Sequence, residues 1–401
     1  MTITSVRLRG ILDSRARITL EAEVSLDSGH TGTGSAPRAI APGRLERRRG
    51  PDPVLGPVTA PLLTAALTDG TVTGQRQCDT RLAEVYEAGE AGSDLTLAVS
   101  LAYARAAATA RRLPLHAHLA EQYGLGGPGL PRLMVNVFSG GIHREGPPRG
   151  FQQVMVLPAT GRIHTDIEVA DQVFTAAHRA VERRFGPVPL SASSGLLVPL
   201  DSEEQLALLE AAVTEAGHSG ACTLGVDVAA EHLREDSGRY RFGDRHFTTG
   251  EFAEHLAALA RRFRLTFLED PFDPADDAGW DRLRGSLPAA TSVVGDDLFA
   301  TDAERITPGR ADGILLKLSQ AGTVSATLAA AAAARRAGML LAVSHRSGET
   351  EDTAMCDLAV AVAAELIKVG GPRRGDRLAK YNQLLRLDES LADLVAAPST
   401  R

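Results

Sequence analysis

The chain has 401 residues, which is too long for one small hydrophobic core and indicates a large barrel, two domains or both. Hydrophobic residues make up 44% of it and charged residues 23%, as in ordinary globular proteins. The formal net charge of −7 argues against a general nucleic-acid-binding protein, because contact with phosphates needs a basic surface.

The cysteines lie far apart and form no CxxC pair, so neither a disulfide framework nor a zinc cluster is indicated; they are Cys78, Cys222 and Cys356. The first ten residues lack the apolar core of a signal peptide. The alanine-rich tract from Thr327 is too short and too weakly apolar to cross a bilayer. We therefore expect a cytoplasmic protein with no membrane and no nucleic acid among its partners.

The first part of the chain predicts strands followed by helices. Residues 6–9 and 18–24 alternate between apolar and polar side chains, as β-strands do. A loop rich in Gly, Pro, Ser and Arg extends from Ser28 to about Pro57, and its length suggests a functional role. Residues 61–123 show helical spacing of apolar side chains. We assign residues 1–131 to an N-terminal α+β capping domain.

From about residue 132 the pattern changes to short apolar runs, each followed by a loop and then a helical stretch. Buried strands that alternate with helices are typical of a β/α barrel, so residues 132–401 are predicted to form an α/β catalytic domain of this kind. Catalytic groups of such barrels lie at the C-terminal ends of the strands. The predicted ends carry Asp227, Glu269, Asp296, Lys317, His345 and Lys368.

Asp227, Glu269 and Asp296 each end an apolar run, so successive strands would bring them to one barrel mouth. Three convergent carboxylates repel each other unless a cation lies between them, and hard oxygen ligands suit Mg²⁺. The alternative interpretation is three unrelated surface acids or helix N-caps.

Lys317 and Lys368 follow strongly apolar residues, where burial and nearby cations would lower the pKa of a lysine towards neutrality and make it a base. The alternative is a lysine whose stem is buried and whose ammonium reaches solvent. The segment 344–350 offers hydroxyls and a guanidinium for a phosphoryl group. Together these residues predict removal of a proton next to a metal-bound carboxylate.

Several segments resemble motifs of the enolase family, and the resemblance extends over the whole chain, most densely after Val226. They are ILDSR (11–15), LEDPF (268–272), VGDDLF (294–299), ILLKLSQAGT (314–323), SHRSGETED (344–352) and IKVGGPRRGDRLAKYNQLLR (367–386). The resemblance implies an enolase-type β/α barrel, an N-terminal α+β domain, a homodimer and Mg²⁺ as cofactor.

The resemblance also implies roles for individual residues. Asp227, Glu269 and Asp296 correspond to the metal ligands, Lys317 to the base, and Lys368 to a lysine that holds the substrate carboxylate. The remaining matches are a loop histidine, a glutamine and three contacts on the phosphate side, namely His143, Gln152, His345, Arg346 and Ser347.

Three positions depart from the enolase pattern. Ala41 stands where enolases have a serine that helps to hold a second Mg²⁺, and Gln153 stands where they have a glutamate. Ser194 replaces the glutamate that assists departure of the hydroxide. In addition, Arg38, Arg144 and Arg149 stand in the two loops that are expected to close over the substrate, with solvated surface charges as the alternative interpretation. We therefore include Ser194 among the catalytic candidates, and Gln153 and Arg38 among the substrate-binding ones.

The departures favour a hydro-lyase whose substrate resembles 2-phosphoglycerate but is bulkier or more anionic on the phosphoryl side. A phosphonoformyl glycerate of phosphinothricin-type antibiotic biosynthesis, dehydrated to carboxyphosphonoenolpyruvate, fits this description. His143 or an ordered water would protonate the leaving hydroxyl. The alternatives are an ordinary enolase, an epimerase or tautomerase that uses the same enolate chemistry, and a non-catalytic binding protein.

Overall fold

The N-terminal part of the computed structural model is an antiparallel sheet covered by helices. The structure describes residues 1–39, 46, 54–124, 128–143 and 149–396. The strands of this sheet are β1 (Ile3–Leu12), β2 (Ile18–Leu26), β3 (Thr31–Ser35) and β4 (Gly56–Val58), in the order β3-β2-β1-β4. The helices are α1 (Pro61–Leu67), α2 (Gln75–Glu87), α3 (Ser93–Ala110) and α4 (Leu115–Tyr123). The predicted α+β character of this part is confirmed.

Strand β3 lies inside the segment that the sequence predicts as loop. Its sequence contains two glycines, and glycine is rare in strands. A Cβ on Gly32 would lie 2.3 Å from the carbonyl oxygen of Ala102, and one on Gly34 would lie 2.5 Å from that of Ala98. The glycines therefore allow α3 to pack directly on the strand, and this tertiary contact outweighs the poor strand propensity.

The C-terminal part contains a closed barrel of eight strands. The further strands of the chain are β5 (Arg132–Ser139), β6 (Gln153–Pro158), β7 (Leu196–Leu197), β8 (Cys222–Asp227), β9 (Tyr240–Phe242), β10 (Arg245–Phe247), β11 (Leu265–Glu269), β12 (Ser292–Gly295), β13 (Gly313–Leu316), β14 (Leu340–Ser344) and β15 (Leu366–Lys368). The barrel order is β5-β6-β8-β11-β12-β13-β14-β15, and pairing of β15 with β5 closes the ring. The predicted barrel is confirmed.

Helices cover the outer surface of the barrel. They are α5 (Ile163–Phe185), α6 (Ser202–Glu215), α7 (Thr249–Arg262), α8 (Asp277–Arg284), α10 (Val324–Arg336), α11 (Ala354–Ala361) and α12 (Gly375–Ala396). The short helix α9 (Leu318–Ala321) instead follows β13 directly, at the mouth of the barrel. Capping boxes start α6 at Asp201 and α7 at Thr248. Among the described helices, none is long and apolar enough to cross a membrane.

The direction of β6 differs from the simple alternation of strands and helices that the sequence predicts. This strand is antiparallel to both of its neighbours, β5 and β8. Its first residue, Gln153, pairs with Asp227, the last residue of β8. The N-terminal end of β6 therefore lies at the same barrel mouth as the C-terminal ends of the other strands, which brings Gln152 and Gln153 to the site.

Buried polar contacts join the N-terminal sheet and helices to the barrel. Asp79 of α2 accepts hydrogen bonds from the backbone nitrogen of Ser325 (2.8 Å) and from the hydroxyl of Ser100 (2.7 Å). Arg105 of α3 makes two hydrogen bonds of 2.6 and 2.7 Å to the carboxylate of Asp352. These contacts hold α2 and α3 against the chain that follows β13 and β14, where several predicted site residues lie.

Candidate active site

The strand register brings the predicted residues to one level of the barrel. Asp227 lies opposite Glu269 in the pairing of β8 with β11, and Ser344 lies opposite Lys368 in that of β14 with β15. Asp296, Lys317 and His345 directly follow β12, β13 and β14. Ten predicted residues line one cavity at this mouth: His143, Gln152, Gln153, Asp227, Asp296, Lys317, His345, Arg346, Ser347 and Lys368.

Lys368 joins two of the predicted metal ligands. Its Nζ donates hydrogen bonds to Asp227 Oδ2 at 2.8 Å and to Glu269 Oε2 at 2.7 Å. The three side chains are almost completely buried, with at most 3% of each exposed. Lys317 forms a corresponding ion pair with Asp296. The two lysines thus compensate three carboxylates in a region from which bulk water is excluded.

The buried charges shift one another's pKa values. Burial, followed by repulsion from Asp227, raises the pKa of Glu269 to about 8, although Lys368 opposes the shift. Burial lowers the pKa of Lys368, but attraction to Asp227 and Glu269 outweighs burial and leaves it above its ordinary value. Such shifts are typical of functional sites as well as of structural ion pairs.

The expectation of a depressed lysine pKa is wrong for both Lys368 and Lys317 in this arrangement. Burial lowers the pKa of Lys317, and so does Arg346, but the adjacent carboxylate of Asp296 raises it to a net value above the ordinary one. The sequence shows the apolar neighbours of a lysine but not the carboxylate that its ammonium will meet, which here comes from another strand.

A chain of hydrogen bonds, which the sequence did not single out, holds the Lys317–Asp296 pair in place. Gln320 donates from Nε2 to Asp296 Oδ1 at 3.1 Å, and its Oε1 accepts from the hydroxyl of Thr301 at 2.7 Å. The backbone nitrogen of Lys317 donates to the same Thr301 hydroxyl at 2.9 Å. Gln320 belongs to the enolase-like segment 314–323, but its position there gives no sign of this contact.

The carboxylates at the mouth offer a set of oxygen donors that fits a divalent cation. Oxygens of Asp270, Asp296 and Asp297 lie within 4.8 Å of one another. Asp270, however, already accepts hydrogen bonds of 2.8 Å from the backbone nitrogens of Asp296 and Asp297. Since hard carboxylate oxygens are the ligands that Mg²⁺ prefers, the donor set suits this ion. The choice of Asp227, Glu269 and Asp296 as ligands stays a prediction.

The segment after β14 provides the predicted phosphate-side contacts. Arg346 lines the cavity, and its guanidinium donates to both carboxylate oxygens of Glu46, at 2.6 and 2.7 Å. Burial, followed by the nearby Arg377, lowers the pKa of His345 well below its ordinary value, so its imidazole is neutral at pH 7. Its Nε2 is buried and has no hydrogen-bond partner in the described part of the chain. A ligand in the cavity would meet this nitrogen and Ser347.

Arg377 of α12 connects the two loops beside the phosphate-side contacts. Its guanidinium is fully buried and donates to the carbonyl oxygens of Ala192 (2.8 Å) and Ser347 (3.1 Å). It also contacts Nδ1 of His345. Arg377 lies in the enolase-like segment 367–386, but the sequence does not indicate its role, because a charged residue near a helix start is usually exposed.

His143 and the two glutamines also line the cavity. His143 ends a short 3₁₀ turn, and burial lowers its pKa to about 4. The Nε2 of Gln152 donates to Asp227 Oδ2 at 3.2 Å. The Oε1 atoms of Gln152 and Gln153 are buried and have no hydrogen bond within the described residues. The cavity thus presents neutral amides and a neutral imidazole here.

Three predicted site residues do not line the cavity. Glu269 lies beside Lys368, to which it is hydrogen-bonded. The hydroxyl of Ser194 donates to the carbonyl oxygen of Arg373 at 3.0 Å, and the neighbouring Ser193 lines the cavity instead. Arg38 donates to the carbonyl oxygen of Ile18 at 3.0 Å. The roles of Ser194 and Arg38 stay predictions that this geometry does not favour.

The other residues that depart from the enolase pattern lie elsewhere. Arg149 is exposed and forms an ion pair of 2.8 Å with Asp244. Ala41 and Arg144 lie outside the described residues. The sequence suggested extra positive charge around the substrate. The positions of Arg38 and Arg149 therefore do not support that prediction.

Comparison with protein-family models gives two matches, in the order in which the two parts of the fold occur. The model described as the enolase N-terminal domain matches residues 3–119. The model described as the enolase C-terminal TIM barrel domain matches residues 128–398, which is more than half of the chain. Both matches agree with the observed α+β part and barrel.

Proposed function

Because this chain belongs to the enolase family, whose members share enolate chemistry, we propose that it is a hydro-lyase for a small acid resembling 2-phosphoglycerate. In this reaction the α-proton is removed and the 3-hydroxyl is then expelled to give an enolpyruvate product. The main support is the buried cluster at the barrel mouth, where Lys317 and Lys368 meet three carboxylates. A binding protein would gain nothing from such a costly arrangement of charges.

The residues of the cluster have separate tasks in this proposal. Lys317 takes the C2 proton in its neutral form, which requires that the attraction of Asp296 for its ammonium be weakened, as a cation held by Asp296 would do. Lys368 binds the substrate carboxylate. Asp227, Glu269 and Asp296 would hold Mg²⁺, which enolase-family proteins typically use and which supplies positive charge to stabilise the enolate. Arg346, Ser347 and the Nε2 of His345 bind the phosphoryl or phosphonyl group, since they line the same cavity.

The finer proposal is that the substrate is a phosphonoformyl glycerate and the product carboxyphosphonoenolpyruvate. It is supported by the lack of negative charge at Gln153 and Ser194, where the enolase pattern has glutamates. A substrate with an additional carboxylate would meet less repulsion there. Its partners are thus a small phosphorylated or phosphonylated acid and, by family resemblance, a second copy of the chain.

A second candidate is an epimerase or tautomerase that forms the same enolate without losing water. One observation favours it: the cavity-lining residues His143, Gln152 and Gln153 include no acid suited to protonate a hydroxide. His143 has a pKa of about 4 and is neutral at pH 7, while Gln152 and Gln153 are amides. An ordered water would have to supply the proton in the lyase.

Mass spectrometry of products tests these functions directly. The protein with Mg²⁺ is incubated in D₂O with 2-phosphoglycerate and, separately, with its phosphonoformyl analogue. The lyase proposal predicts an enol product that is two hydrogens and one oxygen lighter than the substrate, with the analogue converted faster. Deuterium at C2 without an enol product would identify an epimerase or tautomerase. Fast turnover of 2-phosphoglycerate alone would identify an ordinary enolase.

A further inference from the structure

The phosphate-side arginine is occupied by an internal carboxylate. Arg346 donates from Nη1 to Glu46 Oε1 at 2.6 Å and from Nη2 to Glu46 Oε2 at 2.7 Å. Both side chains are more than nine-tenths buried, at 6% and 8% exposure. This bidentate contact has the same geometry as the binding of a phosphoryl group by a guanidinium. Glu46 thus uses the hydrogen-bond donors that the proposed function assigns to the substrate.

Arg346 has other contacts that hold it at the cavity. Its Nη1 also donates to the hydroxyl of Ser319 at 2.9 Å, and its backbone nitrogen donates to Glu349 Oε1 at 2.7 Å. Glu349 is itself held by Lys380 through an ion pair of 2.9 Å. The position of Arg346 is therefore supported independently of Glu46, and the Glu46 carboxylate is not required to orient it.

We propose that Glu46 is a specificity-determining residue whose carboxylate competes with the substrate's phosphoryl or phosphonyl group for Arg346. This inference rests on the proposed function for the identity of the substrate group. A dianionic phosphoryl group interacts more strongly with a guanidinium than a single carboxylate does, and it displaces Glu46. A monoanionic carboxylic acid without such a group gains little by the same exchange. Glu46 therefore excludes simple carboxylates from this part of the cavity.

Because of this competition, an anion binds only to those molecules in which Glu46 is displaced from Arg346. The apparent affinity is therefore the intrinsic affinity multiplied by the fraction of such molecules. If this fraction is about one in ten, removal of the carboxylate strengthens phosphate binding about tenfold. The opposite sign follows if Glu46 serves to position Arg346, because its removal would then weaken anion binding. The sign of the change separates the two roles.

Isothermal titration calorimetry with inorganic phosphate, on the full chain, measures this sign. The variants are Glu46→Gln, which keeps the size of the side chain, and Glu365→Gln as a matched control. Glu365 forms an ion pair of 2.6 Å with Arg335, with both side chains at least one-third exposed and neither lining the cavity. Thermal unfolding of each variant establishes that it is folded.

We expect Glu46→Gln to bind phosphate about tenfold or more tightly than the unmodified protein, and Glu365→Gln to bind it equally well. Acetate should bind measurably only to Glu46→Gln. Equal or weaker phosphate binding by Glu46→Gln, or no detectable binding to either protein, would overturn the inference. Phosphate binding needs no turnover. If the unmodified protein formed no enol product but Glu46→Gln still bound phosphate more tightly, only the proposed function would be contradicted. The inference about Glu46 would stand.

Discussion

Gln153 lies directly opposite Asp227 in the pairing of β6 with β8, so a neutral amide stands beside one of the buried carboxylates. This relationship arises because β6 runs against its neighbours and starts at the barrel mouth. The amide adds no negative charge to a region where burial, followed by repulsion from Asp227, already raises the pKa of Glu269 to about 8.

Replacing this amide with a carboxylate is expected to reverse the substrate preference. In Gln153→Glu, one added charge at an effective dielectric constant near 20 gives more than about 1.4 kcal/mol of repulsion against a nearby anion. The KM of the phosphonoformyl analogue should rise about tenfold relative to that of 2-phosphoglycerate. Steady-state kinetics with both substrates measure the ratio. Gln153→Met, which adds no charge, is the control and should leave the ratio within about threefold.

Arg377 is expected to act as a positioning residue, because it contacts His345 and ties together the loops that carry Ala192 and Ser347. Arg377→Lys should lower kcat by about 10- to 100-fold, since small displacements of positioned groups are costly. The imidazole ¹⁵N shifts of His345 should change as well. Arg373→Lys alters an exposed ion pair with Asp171 and should change neither quantity. Unaltered kcat and shifts in Arg377→Lys would assign Arg377 a purely structural role.

The buried carboxyl group of Asp357 is expected to make the free energy of unfolding depend on pH. Burial raises its folded-state pKa from 3.8 to about 6, so the native protein holds the proton more tightly than the unfolded chain. Stability therefore falls as pH rises from about 4 to 6 and stays lower above that range, by about 3 kcal/mol. Asp357→Asn should raise the free energy of unfolding at pH 7 by up to this amount and have little effect at pH 3.5.

The surroundings of Asp357 allow the amide. Gln383 Nε2 donates to Asp357 Oδ2 at 3.2 Å, and the buried imidazole of His116, which has no hydrogen bond in the part described, lies 3.9 Å from Oδ1. Urea unfolding monitored by circular dichroism gives the free energies. A variant that is equally destabilised at both pH values would show that the carboxylate is not held in its protonated form.

Mg²⁺ is expected to stabilise the fold through the carboxylates at the mouth. A ligand at one hundred times its dissociation constant adds about 2.7 kcal/mol to the free energy of unfolding. The melting temperature should therefore rise with Mg²⁺ and return to its starting value with a chelator. Asp227→Asn should lose most of this rise, whereas Asp244→Asn, at an exposed ion pair with Arg149, should keep it. An equal rise in both variants would place the metal elsewhere.

The barrel was predictable because its strands are short apolar runs, most of which end in a polar residue or are directly followed by one. The convergence of Asp227, Glu269, Asp296 and the two lysines follows from that pattern and from the geometry of barrels. The direction of β6 was not predictable, since the periodicity of side chains is the same in parallel and antiparallel strands. Strand β3 was missed because its glycines suit a close contact with α3 that the local sequence does not show.

The contacts of long polar side chains were the least predictable part of the site. Arg38 and Arg149 stand in suggestive loops, but one guanidinium binds the carbonyl oxygen of Ile18 and the other binds Asp244. Conversely, Arg377 is buried near the start of a helix. Such side chains reach partners that are distant in sequence, so their roles depend on tertiary structure rather than on spacing.

Lys317 is the residue that we propose removes the C2 proton. The most direct test is the rate of deuterium exchange at C2 of 2-phosphoglycerate and its phosphonoformyl analogue, in D₂O with saturating Mg²⁺, followed by NMR. Lys317→Met should lower the rate by about 100-fold or more, as expected for loss of a general base. Arg335→Met, at an exposed ion pair with Glu365, should leave it unchanged. Exchange by Lys317→Met at the rate of the unmodified protein, with both variants folded, would show that Lys317 is not the base.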